Sequence, residues 1–230
     1  MKIKLANLIV ILAVLIATVI IIIPLPDSVP VHFDIHGVAD RWGSKYELLL
    51  MPGVMLAMLG FWVGSEKKLL NLTDADDEKK AAEAENNKKV FNLTFSACTL
   101  LFTVLNFLFL NNTISQLEGD TGASVDVMRT VAITMGITFI FLGNFMPKAK
   151  NNPNVGFRLP WTRYNDVTWY KCNRMSGIAM VIYGLITTAI GIIFSGITSF
   201  IIMLALLLVN IIFLTVYAYL VYRKERKNEK

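Results

Sequence analysis

Two stretches of this chain gather the side chains that could do chemistry. The first is HFDIH, in which His32, Asp34 and His36 alternate and account for both histidines of the 230-residue sequence. On an extended segment all three would face one way, and with Asp40 as a further oxygen donor they form a set that zinc could accept. The same residues also suit a plain turn, because Asp34 and Asp40 bracket Gly37 and all three are turn-forming types. No His-Glu-x-x-His helix, Gly-x-Ser-x-Gly elbow, Walker loop or pair of intramembrane aspartates accompanies the set. A membrane metalloenzyme would therefore depend on this one loop, and no metal or other cofactor is expected.

The second stretch is GFRLPWTRYNDVTWYKCNR, Gly156 to Arg174, with four basic side chains, two Trp, two Tyr and Asp166 as its one acid. Basic and aromatic residues interleaved in this way could bind nucleic acid. They could equally be the positively charged inner loop of a membrane protein, with aromatic residues at the interface. Charge alone does not account for the ordered Gly-x-Arg-x-Pro-Trp-Thr followed by Trp and Arg. An orientation signal needs lysines anywhere nearby, not a rigid Pro-Trp step at a fixed distance from a second Trp.

The elements that must position these stretches are set by hydropathy. The chain is 55% hydrophobic and only 17% charged, with a mean hydropathy of +0.56; soluble domains carry roughly a quarter charged residues. Six apolar runs approach the roughly 20 residues needed to cross a bilayer: Leu5–Leu25, Tyr46–Gly64, Val90–Leu110, Val127–Met146, Ser176–Ser195 and Thr198–Val221. Each must be helical, since lipid offers no partner to an open peptide group. Lys2 and Lys4 ahead of the first run imitate a secretion signal, but the run is too long and ends in Pro24-Leu25-Pro26-Asp27 without a cleavage site. The two cysteines, Cys98 and Cys172, are too few for a disulfide framework and read as free thiols.

Nineteen of the 22 lysines and arginines fall at the N-terminus, in the 65–89 and 147–175 segments and in the C-terminal tail; only Arg41, Lys45 and Arg129 fall on the other side. That asymmetry predicts an all-α polytopic membrane protein with six transmembrane helices and both termini in the cytoplasm. The expected layout is a helix pair over residues 1–64 with a structured extracellular loop at 26–45, then a cytoplasmic helical linker at 65–89. A four-helix region follows at 90–221 with a cytoplasmic loop at 147–175, and a basic tail ends the chain at 222–230. Within the linker, Thr73 or Asp74 suits an N-cap, with lysines at the helix end. The 111–126 segment reads as a polar outer loop.

Intramembrane charge, which would mark an ion or proton path, is nearly absent. Asp126 and Arg129 sit at the end of the fourth helix, where Arg can snorkel to the interface. Asn106 and Asn210 lie deeper and are expected to bond across helices. Gly177, Gly184, Thr188, Gly191 and Ser195 form a small-residue stripe on the fifth helix, suited to close helix packing.

Both stretches resemble known sequences. LPDSVPVHFDIHGVADRWGSK is similar to the outer-loop signature of a small bacterial membrane domain of unknown function, carried here by Pro30, His32, Gly37, Gly43, Ser44 and Lys45. GNFMPKAKNNPNVGFRLPWTRYNDVTWYKCNR, Gly143 to Arg174, resembles the signature of the SdpI family, immunity proteins against the sporulation-delaying peptide toxin. The motif falls on Asn144, Asn152, Gly156, Arg158, Pro160, Trp161, Thr162, Trp169 and Arg174. Phe157 stands where Ile is usual, Cys172 where Thr or a similar residue is common, and His36 is extra to the outer-loop pattern. The resemblance implies a non-enzymatic protein of the cell membrane that protects its host from a secreted peptide toxin met on the outer side. It also implies a receptor that holds a small cytoplasmic DNA-binding repressor at the membrane, with no direct contact to nucleic acid. A peptide exporter is the alternative, and it would need a polar path through the bundle.

Overall fold

A computed structural model describes residues 2–34, 37–71, 78–119, 125–152 and 154–228. Six helices follow in order: α1 (Lys2–Ile22), α2 (Leu50–Asn71), α3 (Glu78–Leu117), α4 (Val127–Phe145), α5 (Asp166–Ile193) and α6 (Gly196–Asn228). All six are long and apolar enough to cross a membrane, so the chain is a multi-pass membrane protein. Between α1 and α2 lies a two-stranded antiparallel hairpin, β1 (Ser28–Phe33) and β2 (Ala39–Ser44). Ser44 and Glu47 then form a capping box on a single turn of 3-10 helix leading into α2.

The helices alternate in direction, which gives the bundle two unlike ends. One holds the hairpin, the start of α4 and the α5–α6 turn. The other holds the N-terminus of α1, the segment 146–165 and the C-terminus of α6. Asn154 Nδ2 donates to the Ser65 carbonyl, Asn86 Nδ2 to the Lys148 carbonyl, and Lys171 pairs with Glu225 at 2.6 Å. Lys4 of α1 lies over the Trp62 ring, so the start of α1 and the end of α6 share this second end.

Four helices outrun the apolar runs: α2 continues to Asn71 and α6 to Asn228, while α3 and α5 begin well ahead of theirs. The expected linker helix and third crossing are one continuous helix, α3, which also extends into the segment expected as an outer loop. At 1.5 Å per residue its 40 residues span about 60 Å, twice the hydrocarbon core. No Gly or Pro interrupts residues 78–117, and the polar part, EKKAAEAENNKK, consists largely of good helix formers. The candidate caps Thr73 and Asp74 lie outside the described residues. The fifth helix begins at Asp166, well before Ser176, because Asn165 caps it: Asn165 Oδ1 accepts from Thr168 N–H at 2.8 Å, and Thr168 Oγ1 accepts from Asn165 N–H at 3.1 Å.

Two kinds of contact hold the bundle. Polar side chains join α3 to its neighbours: Asn7 Nδ2 donates to Ser96 Oγ at 2.9 Å, Trp62 Nε1 to Asn92 Oδ1 at 2.9 Å, and Asn106 Nδ2 to Thr18 Oγ1 at 3.0 Å. Trp62 also stacks on Phe95 with centroids 4.3 Å apart. Helices α4 and α5 instead meet backbone to backbone. A methyl group on Gly143 would come within 2.7 Å of the Gly177 carbonyl oxygen, and one on Gly184 within 2.5 Å of that of Gly136. The α5 stripe thus has a matching pair of glycines, seven residues apart, on α4.

Arg129 does not snorkel outward, as its position at a helix end suggested. Its guanidinium donates to the carbonyls of Gly191 and Ile192 at 2.8 and 3.0 Å, closing the C-terminus of α5. Asp126 caps α4 through Arg129 N–H at 3.0 Å, and its second oxygen accepts from Gly196 N–H at 2.6 Å, where α6 starts with φ +58°. One acid and one base therefore lock three helix ends together.

Candidate functional site

At the 146–165 end the signature residues divide by direction. Asn152 is buried and folds the chain around itself: Oδ1 accepts from the N–H groups of Asn154 and Val155 at 2.7 and 2.8 Å, while Nδ2 donates to the carbonyls of Lys150 and Val155. Thr162, fully buried, accepts from Leu159 N–H at 2.9 Å and lies 2.8 Å from the Phe157 carbonyl oxygen. Trp169 is buried among Val90, Ala149 and Val155, and its indole N–H donates to the Ala149 carbonyl at 2.7 Å. Gly156 has φ +123°, and a methyl group there would lie 2.8 Å from both the Trp169 ring and Asn173 Oδ1. That conformation and that space admit only glycine. Asn173, one turn along α5 from Trp169, accepts from Phe157 N–H at 2.7 Å and donates to the Trp169 carbonyl.

The other signature residues face away from this core. Arg158, Pro160 and Arg174 are exposed, with Arg163 and Tyr170 beside them in the chain. Arg174 lies within hydrogen-bond reach of the Tyr170 hydroxyl at 3.4 Å. Trp161 is half-buried, packs edge-on against Tyr219 of α6, and has a buried indole N–H with no partner. Asn144 bonds back to the Ile140 carbonyl of its own helix. The segment is thus a folded layer under the bundle, with a cationic outer face.

At the hairpin end the residues of the first stretch make a different structure. Gly37 turns the hairpin at φ +79°, and Asp34 Oδ1 accepts from Val38 N–H at 2.9 Å. His32 Nδ1 lies 2.6 Å from Asp40 Oδ1 with both side chains largely exposed, while His36 lies outside the described residues. Among the described residues no group of three His, Cys, Asp or Glu side chains is placed to hold a metal ion. Pro30 is buried, and its carbonyl accepts from Thr113 Oγ1 of α3 at 3.1 Å. Gly43 sits where any side chain would meet Val31 and Glu47. Lys45, 14% exposed, donates to the Leu25 carbonyl at 2.8 Å and pairs with Asp27, tying the hairpin base to the end of α1. These residues build and anchor the hairpin.

Beneath the hairpin is a cavity of about 610 Å³, walled by Phe33, Leu105, Leu108, Phe109, Met128 and Ile197. Asn112 also lines it. This side chain is 1% exposed, and its Oδ1 accepts no hydrogen bond from the described residues. Nothing in the residue pattern singles out Asn112 from Asn111 beside it. An Asn near the end of an apolar run has no signature until the fold shows what it lacks.

Residues 148–218 match the SdpI/YfhL protein family, and residues 9–56 match a domain of unknown function, DUF1648. The whole chain is similar to the Immunity protein SdpI of Bacillus subtilis (strain 168), 25% identical over 97% of this chain and 98% of the relative. No solved structure matches it. The two matched regions include the residues of the two signatures from 30 to 45 and from 148 to 174.

Proposed function

We propose that this SdpI-family membrane protein is an immunity protein, protecting the membrane of its own cell from a secreted antimicrobial peptide. The observation that carries this reading is the similarity to an immunity protein over nearly the whole chain, hairpin and basic layer alike. A binding role suits a bundle in which Asn106 and Thr18, buried between α1 and α3, are engaged with each other. The end carrying most of the Lys and Arg is assigned to the cytoplasm, and the hairpin end faces the arriving toxin.

The cytoplasmic arm of the proposal is capture of a small DNA-binding repressor by the basic layer. Arg158, Arg163 and Arg174 supply exposed charge on a surface held rigid by Asn152, Thr162 and Trp169, so an acidic partner face would meet a preformed site. Coupling the two ends requires that toxin and repressor each prefer one state of the bundle over another.

The test is survival. Cells sensitive to the sporulation-delaying peptide toxin are challenged with and without this protein. Survival with the protein, and killing without it, is the expected result. Equal killing at equal membrane levels contradicts the immunity reading.

A further inference from the structure

We infer that the cavity beneath the hairpin holds an apolar segment of the toxin peptide, with Asn112 as the hydrogen-bonding anchor; this rests on the immunity reading above. Three observations converge on a peptide of that chemistry.

The first is the unpaired amide oxygen. Other polar side chains along α3 find partners across helix or hairpin contacts: Asn106 with Thr18, Thr113 with the Pro30 carbonyl and Gln116 with the Gly37 carbonyl. Asn112 sits among them with Oδ1 buried, unbonded and on a cavity wall. A buried acceptor without a donor is destabilising, and an aliphatic residue would avoid that penalty. An occupant bringing an N–H group would remove it.

The second is the shape and lining of the space. Leu105 and Asn112 both line it, seven residues apart on α3, so the cavity runs about 10 Å along the bundle axis. Its volume lies within the range of small-ligand sites, roughly 300–1,000 Å³. It accommodates one short apolar segment rather than a whole folded toxin. The walls are aliphatic and aromatic, with Phe33 set edge-on to Phe109 at 5.4 Å.

The third is charge. Asp34 and Asp126 line the cavity with His32, and among the described lining residues none is Lys or Arg. Both carboxylates accept from backbone N–H groups, which holds these acceptor oxygens in place at the cavity. A phosphate headgroup would be repelled there. A backbone amide or an ammonium group would be attracted, and either can serve Asn112 Oδ1.

The experiment uses the full chain in phosphatidylcholine nanodiscs, titrated with the sporulation-delaying peptide toxin. Binding to the wild type is compared with binding to Asn112→Leu and to Met128→Trp, which fills the cavity from α4 without touching the orphan oxygen. Native mass spectrometry follows any co-purifying phospholipid. The expected result is at least about tenfold weaker binding for both variants, the order of one lost buried hydrogen bond. Asn112→Leu should show this with an unfolding temperature equal to or above the wild type. Wild-type affinity in a folded variant of either kind overturns the cavity site and leaves the immunity reading standing. Loss of a bound phospholipid with peptide affinity unchanged overturns it also, in favour of a lipid site. A wild type that binds no peptide overturns the immunity reading itself, and this inference with it.

Discussion

The two ends of the bundle use asparagine in opposite ways. At the basic end, Asn152 and Asn173 each satisfy several backbone groups and leave no room beside them; a methyl group on Gly156 would already touch Asn173. At the hairpin end, Asn112 is as deeply buried but faces open space with its oxygen unpaired. Trp161 shows that burial without a partner is not enough: its indole N–H is also unpaired, yet Trp161 does not line the cavity below the hairpin. Signature residues can thus be conspicuous because they hold the chain together, while a residue suited to recognition escapes any sequence pattern.

Substitutions separate the two roles, beginning with the largest effect. Trp169→Ala removes the centre of the basic-end core and should cost about 3–5 kcal/mol. Cys172, fully buried beside it in the chain, then reports the opening: in a Cys98→Ala background, alkylation by a membrane-permeant maleimide should be slow in the parent and fast in the variant. Equal labelling rates would contradict a structural role for Trp169. Gly156→Ala should cost about 1–3 kcal/mol through its positive φ and the clash with Trp169, read as a lowered thermal unfolding midpoint in detergent.

Smaller effects follow at surfaces and in open space. Arg158→Ala should change stability by less than about 0.5 kcal/mol, as exposed substitutions do, while weakening recovery of the repressor with the membrane fraction. Recovery at the parent level from an Arg158→Ala, Arg174→Ala chain would remove the docking role from this face. Asn112→Leu is expected to have the least effect on folding, with unchanged or slightly raised stability.

Much of this architecture is legible in the sequence, and what was missed has a common cause. Composition alone yields six crossings, because lipid enforces helices. Gly37 marks the hairpin turn, and the spacing of Gly177, Gly184 and Gly191 marks a face for close packing. The partner of that face, Gly136 and Gly143 on α4, emerges only when two helices are set side by side. The continuity of α3 was hidden by a change from polar to apolar composition near Val90, although no breaker stands there. Asp126 and Arg129 read as interface charges because their partners, Gly191, Ile192 and Gly196, lie more than sixty residues away. The signature Gly156–Arg174 names the important residues without saying which face inward. That depends on where α5 begins, and Asn165 as its cap shifts the start to Asp166.

In the proposed division of roles the basic end holds the fold and the hairpin end meets the toxin. This division is tested most directly by measuring the unfolding temperature and toxin survival together for Asn112→Leu, expressed at the parent level. The expected result is an unfolding temperature at or above the parent's with protection lost. Full protection at unchanged stability would contradict it.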